Sequence, residues 1–405
     1  MEQYNNFTGV MDVGNSLGTK MNSKNNRMNG KNKLKLSSIC LLFAALLFTG
    51  CDQDDIISPD DNAEDWPVGQ NVFVAGYENN AQGNSAARLW KNGVVQNLAG
   101  SVFRSSNTDG TLEYAEARSV FISGNDVYVA GYEQFQKEIQ VTENVVNYET
   151  IRRARLWKNG VLQHLTNGIS FDEATSVFVS DNNVYVLGRE VLENPRRFAF
   201  KLWKNGEAEI FAEGNNEWQA NSLFVSDGDV YIAGRERNTD GFHAILWKNG
   251  VGKFLDSGTA NSSRANSVFA SGSDVYVAGS GGSFAKLWKN GKAENLTDGT
   301  ANAEANSVYV SGGNVFVAGF DGIGTAKLWK NSNEQDMPDA KDAELFQSVF
   351  VSGDDVYLAG YVEAIEEIPS SVSIGYFKAT LWRNGKKLNL DVGRNNSWAI
   401  SIYVQ

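Results

Sequence analysis

Trp218 and Trp398 each follow a short polar run, Asn215-Asn216-Glu217 and Asn395-Asn396-Ser397. An indole exposed in such a run can stack on a sugar ring or on a partner's apolar side chain. Each also suits the filling of a gap between packed units. Arg118, Thr175, Asn221, Asn266, Asn306, Gln347 and Ile400 each directly precede a serine. Six of these seven are polar, so they could ring one opening with hydrogen-bonding groups, or face solvent as ordinary first residues of strands. Material for acid–base or nucleophilic catalysis is scarcer. His164 and His243 fall in different parts of the repeated pattern described next, which argues against a shared histidine site. No Asp-x-Asp-x-Asp-Gly calcium loop occurs, and the expected cofactor complement is none. Carboxylates are plentiful, but no motif pairs them for hydrolysis.

The elements that must position these residues come from a repeat. Leu-Trp-Lys-Asn-Gly occurs at Leu89–Gly93, Leu156–Gly160, Leu202–Gly206, Leu246–Gly250 and Leu287–Gly291, with variants at Leu328–Ser332 and Leu381–Gly385. The seven tryptophans are spaced 67, 46, 44, 41, 41 and 53 residues apart. Each unit reads as four strands: A (Ser-Val-Phe-Val-Ser), B (Asp-Val-Tyr-Val-Ala-Gly), C (Ala-x-Leu-Trp) and D, which ends in an apolar residue such as Leu98 or Leu255. Gly-Asn, Asp-Gly or Gly-Gly joins A to B, and Asn-Gly joins C to D; these dipeptides accept the positive φ of tight hairpins. Seven such units predict an all-β fold, a seven-bladed propeller of four antiparallel strands per blade.

The two ends of the repeat region fit that prediction. Asn71–Gly76 is a B strand with no A before it, and Ser401–Gln405 is an A strand with no B after it, so together they complete one blade and close the ring. An element present in every blade serves the blade. The repeated tryptophans are therefore expected between blades, and the strand A serines (Ser119, Ser176, Ser222, Ser267, Ser307, Ser348, Ser401) each in a buried hydrogen bond. Variation is confined to the B–C and D–A connections, which share one face. The longest are B–C connections near Tyr132–Arg153 and Tyr361–Phe377, and a D–A connection near Ala99–Ala117. Binding is expected on that face, with Trp218, Trp398, Arg118, Asn221, Asn266, Asn306 and Gln347 as candidate ligand contacts.

Net charge is −12 overall, and because the first fifty residues are basic, the remainder carries −16. That balance excludes a phosphate-neutralising nucleic-acid protein. Lys31, Lys33 and Lys35 lead into the apolar run Leu36–Gly50, which has the plan of a secretory signal and is short for a membrane span. Phe48-Thr49-Gly50-Cys51 resembles a bacterial lipoprotein box, which implies cleavage before Cys51 and its lipidation. Residues 1–20 do not look like a signal, so translation could also start at Met21 or Met28. The expected organisation is 1–50 removed, 51–69 a linker and 70–405 the propeller. Asp52-Gln53-Asp54-Asp55 resembles the surface-export signal of Bacteroidetes lipoproteins, whereas Asp after the cysteine in enterobacteria marks inner-membrane retention. The expected location is the cell envelope, on an outer-membrane lipid anchor.

Gly241-Phe242-His243-Ala244-Ile245-Leu246-Trp247-Lys248-Asn249-Gly250 resembles the Ala-Phe-Leu-Trp-x-Asn-Gly core of bacterial extracellular repeats of the HAF type. The resemblance covers 70–405 in pattern, implies a secreted propeller, and transfers no catalytic residue. The leading expectation is a monomeric, non-catalytic module that binds a glycan or protein. A scaffold subunit of an envelope assembly comes second, and a glycoside hydrolase or lyase third.

Overall fold

The tight-turn face shows why the Trp-Lys-Asn-Gly motif recurs. In the computed structural model, Asn92, Asn159, Asn205, Asn249, Asn290, Asn331 and Asn384 take φ of 48–53° at the C–D turns, a conformation asparagine tolerates better than most residues. Each side-chain Oδ1 accepts the backbone N–H of a strand B valine at 2.8–2.9 Å: Val72, Val127, Val184, Val230, Val275, Val315 and Val356 respectively. In four blades the Lys or Arg of the motif also pairs with the aspartate that starts strand B: Lys158–Asp126, Lys248–Asp229, Lys289–Asp274 and Arg383–Asp355, all at 2.7–2.8 Å. The motif is a clamp that ties strands C and D to strand B.

The structure describes residues 66–405, apart from 97, 99–105, 108–109, 143–144, 167–170, 193–196, 215–217, 257–261, 323–324, 342, 369–371, 391 and 394. The predicted signal, Cys51 and most of the linker lie outside the described residues. Pro59–Gln405 is one compact unit. Blade 1 combines Ser397–Val404 (A) with Val72–Asn79 (B), Ser85–Lys91 (C) and Val94–Gln96 (D). Blade 2 uses Gly110–Ser123, Asp126–Thr142, Val145–Lys158 and Val161–His164, with Ser106–Asn107 added beside A. Blade 3 uses Glu173–Ser180, Asn183–Leu192, Arg197–Lys204 and Glu207–Gly214. Strands A and B are Trp218–Ser226 and Asp229–Asn238 in blade 4, Ser263–Ser271 and Asp274–Gly281 in blade 5, Ala303–Ser311 and Asn314–Asp321 in blade 6, and Ala343–Ser352 and Asp355–Ile368 in blade 7. Strands C and D follow in each. Every A strand touches the A strands of both neighbouring blades, so the ring is closed. Blade 1 joins the two ends, with Asn71 and Gln405 exchanging both backbone hydrogen bonds.

The repeated tryptophans are buried between blades, as expected. Trp157 packs with Phe73, Ala75 and Leu89 of the preceding blade, and Trp90 with Tyr357, Ala359 and Leu381. The serines form a belt. Ser401, Ser119, Ser176, Ser222, Ser267 and Ser307 each accept, at Oγ, the backbone N–H of the following blade's strand A (Val120, Val177, Leu223, Val268, Val308 and Val349) at 3.1–3.2 Å.

A second belt was not anticipated. Two residues after each serine, Phe121, Phe178, Phe224, Phe269, Tyr309, Phe350 and Tyr403 form an unbroken circle, with neighbouring centroids 4.5–4.9 Å apart and planes inclined by 43–59°. That inclination matches about 51°, the seventh of a turn that separates blades in such a radial repeat. The ring planes therefore run along the channel axis. A heptagon with these sides puts the centroids about 5 Å from that axis, so the aromatic edges narrow the channel to an apolar collar. Burial, followed by the nearby Tyr403, pushes the Tyr309 hydroxyl up to about 12.

The long B–C connections differ from the expectation of loops. They continue as β-ladders, pairing Tyr132 with Ala154 out to Thr142 with Val145 in blade 2, and Tyr361 with Ala379 out to Ile368 with Val372 in blade 7. Their β-branched and aromatic residues support strand pairing beyond the body of the blade. Likewise, Gly110–Ala117 is already strand A rather than a D–A loop.

Candidate functional site

All seven residues of the predicted funnel set occupy the same structural place, a β-bulge in strand A. The A–B register slips between Ala117 and Ser119, Ala220 and Ser222, Ala265 and Ser267, Ala305 and Ser307, and Phe346 and Ser348. The matching slips in blades 3 and 1 leave out Thr175 and Ile400. A bulge leaves one residue outside the ladder and re-aims its side chain. It also explains the glycine that ends the strand B motif. A Cβ on Gly131, Gly234 or Gly319 would stand 1.9–2.0 Å from the carbonyl oxygen of Glu116, Gln219 or Glu304.

Most of the re-aimed polar side chains stitch blades together. Thr175 Oγ1 donates to the Ala220 carbonyl (3.1 Å), Asn221 Nδ2 to Ala265 (2.9 Å), Asn266 Nδ2 to Ala305 (3.0 Å) and Asn306 Nδ2 to Phe346 (2.9 Å). Asn266 Nδ2 also donates to Glu304 Oε1 at 2.6 Å. Gln347 sits half-buried at the blade 7 bulge. Arg118 is the one charged member, with its Nη2 2.8 Å from Glu116 Oε2 and its side chain 41% exposed.

Three of the predicted contacts meet. Arg118 of blade 2 and Trp218 and Asn221 of blade 4 line one cavity of about 290 Å³, together with Glu173, Thr175, Arg189 and Phe200 of blade 3 and Gln219 of blade 4. Trp218 stacks on Phe200, centroids 6.1 Å apart and planes 21° apart. Glu173 is gripped at both oxygens, by Arg152 Nη1 (3.0 Å) and Arg189 Nη2 (3.3 Å). Arg152 is fixed in turn: its Nη2 donates to Gln134 Oε1 at 2.9 Å, and its guanidinium lies 4.0 Å from the Tyr132 centroid and 4.4 Å from that of Phe171. Burial, then the Glu116 charge, holds the Tyr132 hydroxyl above the usual phenol range. Burial also raises the Glu236 carboxyl, opposite Trp218, while the indole N–H works against that rise.

Sequence reading had no signal for Glu173, Arg189 and Phe200, because they enter the cavity from blade 3 through adjacency in the ring. Trp398 lies apart from the cavity, stacked on Tyr77 at 4.6 Å and 24°, with Phe377 at 6.1 Å. Asn266, Asn306 and Gln347 belong to blades 5, 6 and 7, farther round. A cavity of about 350 Å³ opens at the other face, but its walls include the repeated turn residues Asn159 and Gly160. His164 is exposed at the end of a D strand, and His243 is buried against Phe254. Among the described residues, no group of three His, Cys, Asp or Glu is placed to hold a metal ion.

No family model matches the chain, and no curated protein sequence does. Among solved structures, the chain is similar to the computationally designed Ika8 protein, at 16% identity over 74% of this chain and 98% of that one, TM-score 0.39. It is also similar to YjhT, at 10% identity over 74% and 100%, TM-score 0.36. The propeller assignment stands on this chain's own strand order and closed ring.

Proposed function

We propose that this chain is a non-catalytic lipoprotein of the cell envelope or cell surface, anchored through Cys51, whose propeller binds a glycan through the Arg118–Trp218 cavity. One observation carries the reading: Arg118 of blade 2 converges with Trp218 and Asn221 of blade 4 and with Thr175 and Arg189 of blade 3 on one concavity of the variable face. An indole beside several polar side chains is the chemistry that recognises a sugar ring, through stacking on its C–H face and hydrogen bonds to its hydroxyls. Glu173, the carboxylate that lines the cavity, and Glu116 beside Arg118 are engaged by guanidiniums, which suits recognition better than proton transfer. The signal-like run ending at Cys51 and the HAF-type strand pattern support an extracytoplasmic location.

The test is a glycan array probed with the full chain, wild type and Trp218→Ala, at matched thermal stability. Binding that weakens in the variant supports the assignment; binding unmoved by it removes the site. Incorporation of labelled palmitate, lost in Cys51→Ser, tests the anchor. The scaffold reading draws on Tyr148 and Ile365, 68% and 67% exposed on the two projecting hairpins. Stoichiometric partners recovered from membranes, and lost on polar substitution of both residues, would favour it.

A further inference from the structure

We infer that the ligand of this cavity carries a carboxylate, so that the glycan is an acidic one built on uronate-type sugars; the inference rests on the glycan reading above. The reason is a local reversal of charge. The chain as a whole is strongly acidic, with a net charge of −12. The charged residues that line the cavity, however, are Arg118 and Arg189 against the single carboxylate of Glu173, with Arg152 and Glu116 bonded to them from outside the lining and Glu236 paired with Trp218 in the ladder. Both oxygens of Glu173 are taken, one by Arg152 and one by Arg189. Arg152 is immobilised between two aromatic rings and bonded to Gln134, so it acts as a wall. Arg118 pairs at Nη2 with Glu116 and lies 5.5 Å from the Tyr132 ring centroid, and its side chain is still 41% exposed.

Arg118 also breaks the symmetry of the ring. At the equivalent bulge the other blades carry Thr175, Asn221, Asn266, Asn306, Gln347 and Ile400, none of them charged. Thr175 and the three asparagines use a side-chain donor to bond the next blade. A guanidinium carries five N–H donors, and its planar fork matches a carboxylate in two-point contact. Trp218 lines the same cavity, so a ring stacked on its indole and a carboxylate held by Arg118 can belong to one ligand. A neutral sugar would offer the remaining Arg118 donors only hydroxyls, whereas a uronate offers them a carboxylate.

The experiment is isothermal titration of the full chain with oligosaccharides of galacturonate, glucuronate and mannuronate, with their carboxyl-reduced neutral counterparts, and with sulfated oligosaccharides of the same length. The expected result is that one uronate series binds at least about tenfold more tightly than its neutral counterpart, a margin typical of hydrogen bonds to a charged group, and weakens as salt is raised. Arg118→Gln should abolish that margin at an unchanged melting temperature. Arg118→Lys should keep the salt dependence but lose most of the affinity, because it keeps the charge without the fork. Equal binding of acidic and neutral sugars, a preference for the sulfated series, or an Arg118→Gln protein that still discriminates would overturn the acidic assignment and leave glycan binding intact. Failure of every sugar to bind would overturn both.

Discussion

Trp218 and Trp398 look interchangeable in sequence, each a few residues before a strand A serine, yet they are one residue out of step. The ladder pairs Ala220 with Gly234 and Trp218 with Glu236, whereas it pairs Ala399 with Gly76 and Trp398 with Tyr77. Aligned on the bulge, Trp398 therefore corresponds to Gln219, and Trp218 corresponds to Ser397. A one-residue offset in a strand sends a side chain to the opposite face of the sheet. Trp218 packs back on Phe200 of blade 3 and borders the cavity, while Trp398 turns to Tyr77 of its own blade and to Phe377 of blade 7. Two tryptophans of similar context thus have different surroundings: one borders the cavity proposed above to take a glycan, and the other packs against its own sheet and blade 7.

The largest effect is expected where both regions share a device. Gly234→Ala and Gly76→Ala would each drive a methyl into a backbone carbonyl, 2.0 and 1.9 Å away. Each should cost about 2 kcal/mol or more in chemical denaturation, and a small cost at either site would show the bulge to be dispensable. The next test separates the tryptophans. The exchange Trp218→Gln with Gln219→Trp gives blade 4 the register of blade 1, and should lower glycan affinity by about tenfold while the melting temperature stays close to wild type. Retained affinity would mean that the face of the strand is irrelevant.

Trp398→Ala should do the reverse, losing about 2 kcal/mol of stability with the Tyr77 stack and leaving affinity within error. The smallest effect concerns the tyrosine near each tryptophan or its cavity. Tyr77 and Tyr132 are both held above the usual phenol range, chiefly by burial and then by the Glu116 charge. Their contribution is intact below about pH 10, the ordinary tyrosine value. It is lost as pH rises further, because the unfolded chain ionises first. Urea midpoints should fall above that pH, and Tyr77→Phe or Tyr132→Phe should each flatten the fall.

The repeat made the architecture legible because every blade states its strands in the same order and its turns with the same Asn-Gly. Ring closure was legible from the half-blades at Asn71–Gly76 and Ser401–Gln405. The bulge was not, since Arg118 and Asn221 read as the first residues of strands until the register is known. The site was legible only in part. Arg118, Trp218 and Asn221 could be named, but the cavity's third wall, Glu173, Arg189 and Phe200, comes from contact between blades, which spacing along the chain does not encode. The aromatic collar was written in the sequence as the residue two after each strand A serine. It went unread because the side-chain alternation of one strand does not reveal a circle made by seven.

That collar bears on how the molecule is assembled in time. Tyr403 fills the place between Phe350 and Phe121, 4.9 Å from each, and Ser401 completes the belt at Val120. Both lie in the strand Ser397–Val404, which also supplies the inner partner of Val72–Asn79. A growing chain therefore has six blades ready while its seventh still offers an open β-edge and two aromatic rings face an empty place. Until that strand is released, edge and gap together form a sticky surface that a chaperone, or a second unfinished copy, could occupy.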